Sequence, residues 1–411
     1  MYNIGMIIYG FIMRIAALFN SKANKMIEGH KQVFGLLQNK INPNEKYIWI
    51  HAASLGEFEQ GRPMIEAIRK EHPAYKIILT FFSPSGYEVR KDYNYADIVC
   101  YLPFDTKRNV IRFLNLVNPA IAIFIKYEFW LNYLNQLHER KIPTYIISTI
   151  FRPNQIFFKW YGGMFRRVLP YFATLFVQNE KSKQLLASIG IEDNVVVSGD
   201  TRFDRVLTIK EQSRILPAMD EFTKVKPHFL FVAGSTWPED EDLILSYFNQ
   251  HPEMKLILAP HEINDSHIQS ITEKIERTFV CYSSANESTI QDVDCIIVDT
   301  FGILSSAYRY GDAAYIGGGF GVGIHNILEA SVYGIPVVFG PNYSKFNEAK
   351  GIIREGGGFS INGKAEYDEL MNRFMNDAAY LKSSGEKAGN YVSTLSGATQ
   401  IVMQHIVFLA S

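Results

Sequence analysis

From Tyr47 onward the chain alternates short, continuous apolar runs with amphipathic stretches, and this rhythm leaves few folds open. The runs Tyr47–Ile50, Lys76–Thr80, Asp97–Tyr101, Ala120–Ile125, Thr144–Ile147, Thr174–Val177 and Val195–Val197 lack the period-two alternation of a half-exposed strand. They predict parallel strands buried on both faces and joined by helices. Charged residues fill the interval from Thr201 to Pro227, with Pro217 as a breaker. A second series then begins: His228–Ala233, Met254–Ala259, Asp294–Val298, Ala313–Ile316 and Ile335–Phe339. The fold class predicted is α/β, with two Rossmann-like, doubly wound domains in tandem. A length of 411 residues agrees, because one compact core rarely grows so large. The expected divisions are an N-terminal segment 1–30, a first domain 31–205, a linker 206–226, a second domain 227–385, and a C-terminal helix 386–411 able to return to the first domain.

A net charge of −1 conceals an asymmetry. Residues 1–210 hold 27 Lys and Arg against 17 Asp and Glu, whereas the remainder holds 14 against 25. The basic half favours anionic partners, such as a membrane surface or a phosphorylated substrate, unless it is simply a solvated face. Cys100, Cys281 and Cys295 are odd in number and lack metal-ligand spacing, which fits buried free thiols in a reducing compartment. Met1–Asn20 is almost wholly apolar, but Arg14 interrupts it and no basic residue precedes it, unlike a secretory signal. It is marginal for a spanning helix of roughly 20 residues. With Lys22, Lys25 and Lys31 just beyond, the expectation is a helix lying in or dipping into the cytoplasmic leaflet; the alternative is a helix packed on the protein's own surface.

Two turns carry the chemistry. His51-Ala-Ala-Ser-Leu-Gly-Glu57 follows the first strand and opens a helix, so Glu57 is delivered at a strand's C-terminal end, where open α/β sheets bind ligands. Glu57 is the candidate general base. In the second half, Gly317 to Gly323 form a glycine-rich turn between a strand and a helix, followed by His325-Asn-Ile-Leu-Glu329. Such a turn lets backbone amides approach a phosphate. Its spacing matches neither the dinucleotide fingerprint nor the P-loop.

Several other residues have plainer readings. Ser54 is read as a cap, and Ser83–Gly86 as a turn that touches an acceptor or serves only as a turn. His51 either orients its loop or is a satisfied structural histidine. Trp130 and the run Phe157–Tyr161 read as core, and Arg152, Lys159, Arg166 and Arg167 as either a lipid-phosphate surface or a solvated face. The acidic run Glu239–Asp242 reads as a helix start.

Along nearly the whole chain, in order, the sequence resembles the 3-deoxy-D-manno-octulosonic acid (Kdo) transferase family of lipopolysaccharide biosynthesis. The resemblance rests on His51–Glu57, Lys126-Tyr-Glu-Phe-Trp130, Gly199-Asp-Thr-Arg-Phe-Asp204, Asp299-Thr-Phe-Gly302, Gly323–Ala330 and Phe339-Gly-Pro341. It implies the GT-B fold, two Rossmann-like domains with an interdomain cleft, and inverting transfer of Kdo from CMP-Kdo to a lipid A precursor (lipid IVA). Glu57 would be the base, while Glu128 and Arg202 would stabilise the transition state. Donor contacts would come from Pro260 and His261, from Phe301, Gly302 and Ile303, and from Asn326, Ile327, Leu328 and Glu329. Neither metal nor cofactor is expected, since no Asp-x-Asp motif stands at a strand end and CMP is a stabilised leaving group. The implied partners are CMP-Kdo, the lipid A precursor and the cytoplasmic leaflet of the inner (plasma) membrane, on whose cytoplasmic face the protein would work; no nucleic acid is expected. The chain departs from the family pattern at Lys126, which replaces an acid, at Arg202, which replaces Lys, at His261, which replaces Arg, and at Ile303, which replaces Glu. Competing readings are another GT-B transferase or epimerase using a UDP-sugar, and a non-catalytic two-lobed sugar-binding protein.

Overall fold

The computed structural model describes residues 2–224, 229–286, 289–290 and 292–408. The chain divides into two compact units, residues 1–205 with 396–411, and residues 206–395. Each is built on a seven-stranded sheet whose paired strands are all parallel.

In the first unit the strands are β1 (Tyr47–Ala52), β2 (Lys76–Phe81), β3 (Ile98–Tyr101), β4 (Ile121–Ile125), β5 (Thr144–Thr149), β6 (Thr174–Val177) and β7 (Val195–Val197). Their spatial order is β3-β2-β1-β4-β5-β6-β7. Alternate residues of β1 enter opposite cores, as a doubly wound sheet requires. Ile48 and Ile50 pack with Phe58, Met64, Ile65 and Ile68 of helix Leu55–Glu71, whereas Tyr47 and Trp49 pack with Phe113, Tyr133 and Leu137 on the other face. Because β2 and β4 flank β1, the chain order reverses there, and the loops after these strands form the switch-point crevice.

The second unit repeats the scheme with β8 (Phe229–Thr236), β9 (Met254–Pro260), β10 (Phe279–Cys281), β11 (Cys295–Ile297), β12 (Ala313–Ile316), β13 (Val337–Phe339) and β14 (Gly358–Ser360). Its order is β10-β11-β9-β8-β12-β13-β14, so the reversal falls at β8. Cys100 and Cys295 are buried, and Cys281 is half-buried; all three are free thiols.

Three boundaries differ from those expected. The N-terminal segment does not stop at residue 30, because helix Ser21–Lys40 runs through that point and buries Val33 and Leu37 in the first unit's core. The interval expected as a linker, 206–226, is largely helical. Helices Thr201–Glu211 and Pro217–Lys224 occupy most of it, and Pro217 begins the second of them, the position where its missing N–H costs nothing. Leu216, Met219 and Phe222 anchor that helix by burial. At the other end, a single helix over 386–411 is replaced by two. Helix Ala378–Thr394 stays with the second unit, and only helix Ala398–His405 joins the first, where Val402 and Ile406 enter the core beside helix Leu55–Glu71. Asp204 fixes this return by accepting hydrogen bonds from the amides of Gly397 (2.5 Å) and Thr399 (2.6 Å). Residues 225–228, including the expected strand start His228, and residues 1 and 409–411 lie outside the described residues.

The apolar N-terminus forms helix Tyr2–Ala16. One side is held: the Tyr2 hydroxyl donates to Asp105 (2.7 Å), Asn3 accepts the amide of Lys107 (2.9 Å), and Tyr9 stacks on Phe82 and meets Phe104 edge-on. The other side exposes Ile4, Ile7, Ile8, Phe11, Ile12 and Ile15 to solvent. The held side agrees with a helix packed on the protein's own surface, and the other side leaves an apolar face exposed. Among the described residues, no helix is long and apolar enough to cross a membrane.

Candidate active site

Glu57 enters the first unit's crevice on the opening turn of helix Leu55–Glu71, after Ser54 has left the strand in an extended conformation. Ser54 stands at the cap position but makes no side-chain capping bond. Glu57 Oε2 instead reaches back past the cap and accepts the amide of Ala53 at 2.7 Å. Burial and the nearby carboxylate of Glu128 push the Glu57 carboxyl up to about 7, against the opposing pull of the Ala53 amide, His51 and Lys126. A carboxyl so poised can accept a proton near neutral pH and release it afterwards.

Glu128 arrives from the neighbouring strand β4. Lys126 ends that strand with φ 70°, a left-handed conformation unusual for a side-chain-bearing residue, and its amide still pairs with the Ile147 carbonyl. The turn folds Glu128 inward to 8 % exposure. Its Oε2 accepts a 2.6 Å hydrogen bond from Trp130 Nε1 and lies 3.1 Å from Nε2 of His51. His51 is wholly buried on β1, and register places it beside Thr80 of β2, whose carbonyl and hydroxyl oxygens lie 3.0 and 2.9 Å from Nδ1. His51, Glu128 and Trp130 thus form one bonded group, and Glu57 feels its charge. Spacing alone gave no sign of Trp130's part in it.

Arg202 is less available than a bare cation. Its Nε and Nη2 donate to Oδ2 of Asp200 at 3.0 and 2.8 Å, and Asp200 Oδ1 also accepts the Arg202 amide at 3.0 Å. The fork of the guanidinium suits this bidentate hold.

In the second unit, the residues expected to meet a donor stand on the C-terminal edge of the sheet. Pro260 ends β9, and the His261 amide donates to the Thr236 carbonyl at 2.9 Å. The His261 ring stacks on Trp237 (centroids 4.8 Å) and faces His325 (4.4 Å). Burial and the proximity of His261 push His325 down to about 4, leaving it neutral, and Trp237 Nε1 donates to its Nε2 at 3.3 Å. Phe301, Gly302 and Ile303 lie after β11 at the turn into the short helix Leu304–Ala307; Phe301 is 79 % exposed and Gly302 takes φ 85°.

The glycine turn is close-packed backbone. A Cβ on Gly317 would stand 2.1 Å from the Ser235 carbonyl oxygen, and one on Gly319 would stand 2.5 Å from the Gly340 nitrogen. Asp240, read from sequence only as part of a helix start, organises this turn: Oδ2 accepts the amides of Trp237 (3.0 Å) and Gly318 (2.9 Å), and Oδ1 accepts the Tyr315 hydroxyl (2.7 Å). The helix beyond the turn is shorter than expected. Only Leu328–Ser331 are helical, and the Asn326 side chain already accepts the Leu328 amide at 3.2 Å while donating to Glu329 at 3.0 Å. One helical turn has little macrodipole, and Ile327 and Leu328 are buried behind the glycine backbone. Among the described residues, no group of three or more His, Cys, Asp or Glu is disposed to hold a metal.

Residues 28–205 match a family model described as 3-deoxy-D-manno-octulosonic-acid transferase (kdotransferase). The Kdo transferase of Aquifex aeolicus is 29% identical over 359 residues, covering 85% of this chain and 92% of its own. That of Haemophilus influenzae is 25% identical, covering 92% and 90%. Among solved structures, UDP-GlcNAc 2-epimerase from Neisseria meningitidis superposes with a TM-score of 0.62 at 15% identity, over 88% of this chain and 99% of its own. MurG from Acinetobacter baumannii gives 0.56 at 11% identity, over 88% and 98%. Those two likenesses concern the fold. Together with the strand orders they show a GT-B-type fold, and the chain is similar in sequence to Kdo transferases over most of its length.

Proposed function

We propose that the protein moves Kdo from CMP-Kdo to a sugar hydroxyl of a lipid A precursor, lipid IVA, with inversion at the anomeric carbon. The observation that carries this reading is the Glu57 carboxyl, held at the sheet's switch point beside Glu128 and pushed up to about 7. Glu57 takes the proton of the acceptor hydroxyl as its oxygen forms a bond to the Kdo anomeric carbon. The bond from that carbon to the CMP phosphate breaks, and its electron pair leaves with CMP. Because the departing phosphate is a stabilised anion, no general acid and no essential metal is required. The glycine turn, Asn326 and Glu329 hold phosphate and ribose, with Phe301 a ring surface for the base. Arg202 and Glu128 shape the field around the reacting carbon.

A helix of 15 residues spans about 22 Å, short of the roughly 30 Å hydrocarbon core. The exposed face of Tyr2–Ala16 therefore suits a helix lying in the plane of the inner membrane's cytoplasmic leaflet, with Lys22 and Lys25 toward anionic headgroups. The test is incubation with CMP-Kdo and a tetraacyl disaccharide bisphosphate, read by lipid mass. An increase by Kdo units is expected, and protection from proteolysis by CMP rather than UDP. An unchanged lipid mass overturns the reading.

A further inference from the structure

Glu128 and Trp130 also line a cavity of about 360 Å³ in the first unit. Its walls include Tyr2, Phe129, Trp130, Ile156, Phe157 and Phe165. The polar ends of the lining are engaged elsewhere. Tyr2 donates to Asp105, Trp130 donates to Glu128, and Tyr127 accepts from Arg152 at 2.8 Å. Gln155 accepts the Arg152 amide at 2.9 Å and donates to the Ile150 carbonyl at 3.5 Å. Ring faces and aliphatic carbon make up most of the surface open to an occupant. Glu128 is the one charged residue of the lining.

The cavity also lies between two exposed apolar surfaces of the same unit. Tyr2 belongs to the N-terminal helix, with its outward row of Ile4, Ile7, Ile8, Phe11, Ile12 and Ile15. Phe165, whose ring meets Tyr2 edge-on at 6.4 Å, closes the segment whose tip exposes Trp160 (90 %), Tyr161 and Met164. Asp105 ties Tyr2 to the turn after Trp130, since it also accepts the amides of Asn132 (3.1 Å) and Tyr133 (3.0 Å).

We propose that this cavity seats a hydrocarbon chain of the membrane lipid that serves as acceptor, entering between the N-terminal helix and the 156–165 segment, with the lipid's polar end kept beside Glu128. The proposal rests on the reading of the acceptor as a lipid. A cavity of 150 Å³ accommodates benzene, so about 360 Å³ gives room for roughly a dozen carbons. The site is thus a chain-length ruler. Each further methylene buried strengthens binding by about fourfold until the cavity is full.

The test uses n-alkyl phosphates of about six to sixteen carbons, below their micelle concentrations, titrated calorimetrically into the full-length protein without nucleotide. Affinity is expected to climb with chain length and then level off. Ile156→Phe narrows the cavity and moves the plateau to shorter chains; Phe165→Ala moves it to longer ones. Flat affinity, or a plateau that neither substitution moves, overturns the proposal. So does loss of binding in Ile12→Asp with both cavity variants unchanged, which would mean adsorption to the outer helix face. As neither donor nor sugar acceptor is present, failure here leaves the transfer reaction standing, whereas failure of the transfer assay with chain-length dependence intact leaves hydrocarbon binding but removes its assignment to the acceptor.

Discussion

Nε2 of His51 lies 3.1 Å from a carboxylate oxygen of Glu128, while Nδ1 of the same buried ring lies 3.0 Å from the carbonyl of Thr80. The Thr80 hydroxyl also lies 2.9 Å from Nδ1, and Trp130 Nε1 donates to Nε2 at 3.2 Å, so both ring nitrogens are held by neighbours on other strands and turns. The two residues act on Glu57 in opposite directions: Glu128 raises its carboxyl and His51 lowers it.

Removing either member should therefore move the acid limb of the kcat/KM profile with a definite sign. On the proposed mechanism Glu57 acts as a base when ionised, so activity should rise with pH through about 7 in the native protein. Glu128→Gln removes a repelling charge and shifts that limb to lower pH. His51→Gln removes the stabilising partner and shifts it to higher pH. Matching shifts in one direction would show that both substitutions act through general loosening of the site.

Glu57→Gln keeps the shape and the hydrogen-bonding reach of the side chain but cannot take a proton. The rate should fall roughly a hundred- to ten-thousandfold, the usual contribution of a positioned base. CMP affinity, measured calorimetrically, should stay at the native value because the glycine turn is untouched. Transfer persisting at near-native rate would remove Glu57 from the mechanism.

The strand rhythm was legible because buried parallel strands need continuous apolar runs, and Glu57 because it sits a few residues past one of them. What escaped notice depends on neighbours distant in sequence. His51 meets Glu128 only because β4 pairs with β1, and Asp240 reaches Gly318 only because β12 pairs with β8. Local pattern also misjudged Pro217, which starts a helix as readily as it stops one. In the aromatic run 157–161, Phe157 is core but Trp160 is at the surface, a division that composition cannot make.

Arg202 offers a case where charge alone is a poor guide. Held in two-point contact by Asp200, it should lose more than a point charge when changed. Arg202→Ala leaves the buried Asp200 carboxylate without its fork and should lower unfolding free energy by about 1 to 2 kcal/mol, the partial exposure of the arginine keeping the figure modest. Arg202→Lys should fall between Ala and native in both stability and rate. In an Asp200→Asn background the Ala penalty should shrink, a coupling that a double-mutant cycle in denaturant measures directly.

Asp240 gives the sharpest test of how the glycine turn is held. All three of its bonds are acceptances, two from the Trp237 and Gly318 amides and one from the Tyr315 hydroxyl. Asp240→Ala strands three donors, of which the Gly318 amide and the Tyr315 hydroxyl are buried, and should cost on the order of 3 kcal/mol. Asp240→Asn differs: its oxygen can keep the two backbone amides while its NH2 donates to the tyrosine oxygen, since a hydroxyl can reverse its role and an amide cannot. That variant should lose only about 1 kcal/mol and retain CMP binding, whereas the alanine variant should bind CMP weakly even at temperatures where it remains folded. Equal losses in the two, read from thermal unfolding and CMP titration together, would mean that the charge of Asp240 rather than its acceptor geometry holds the turn.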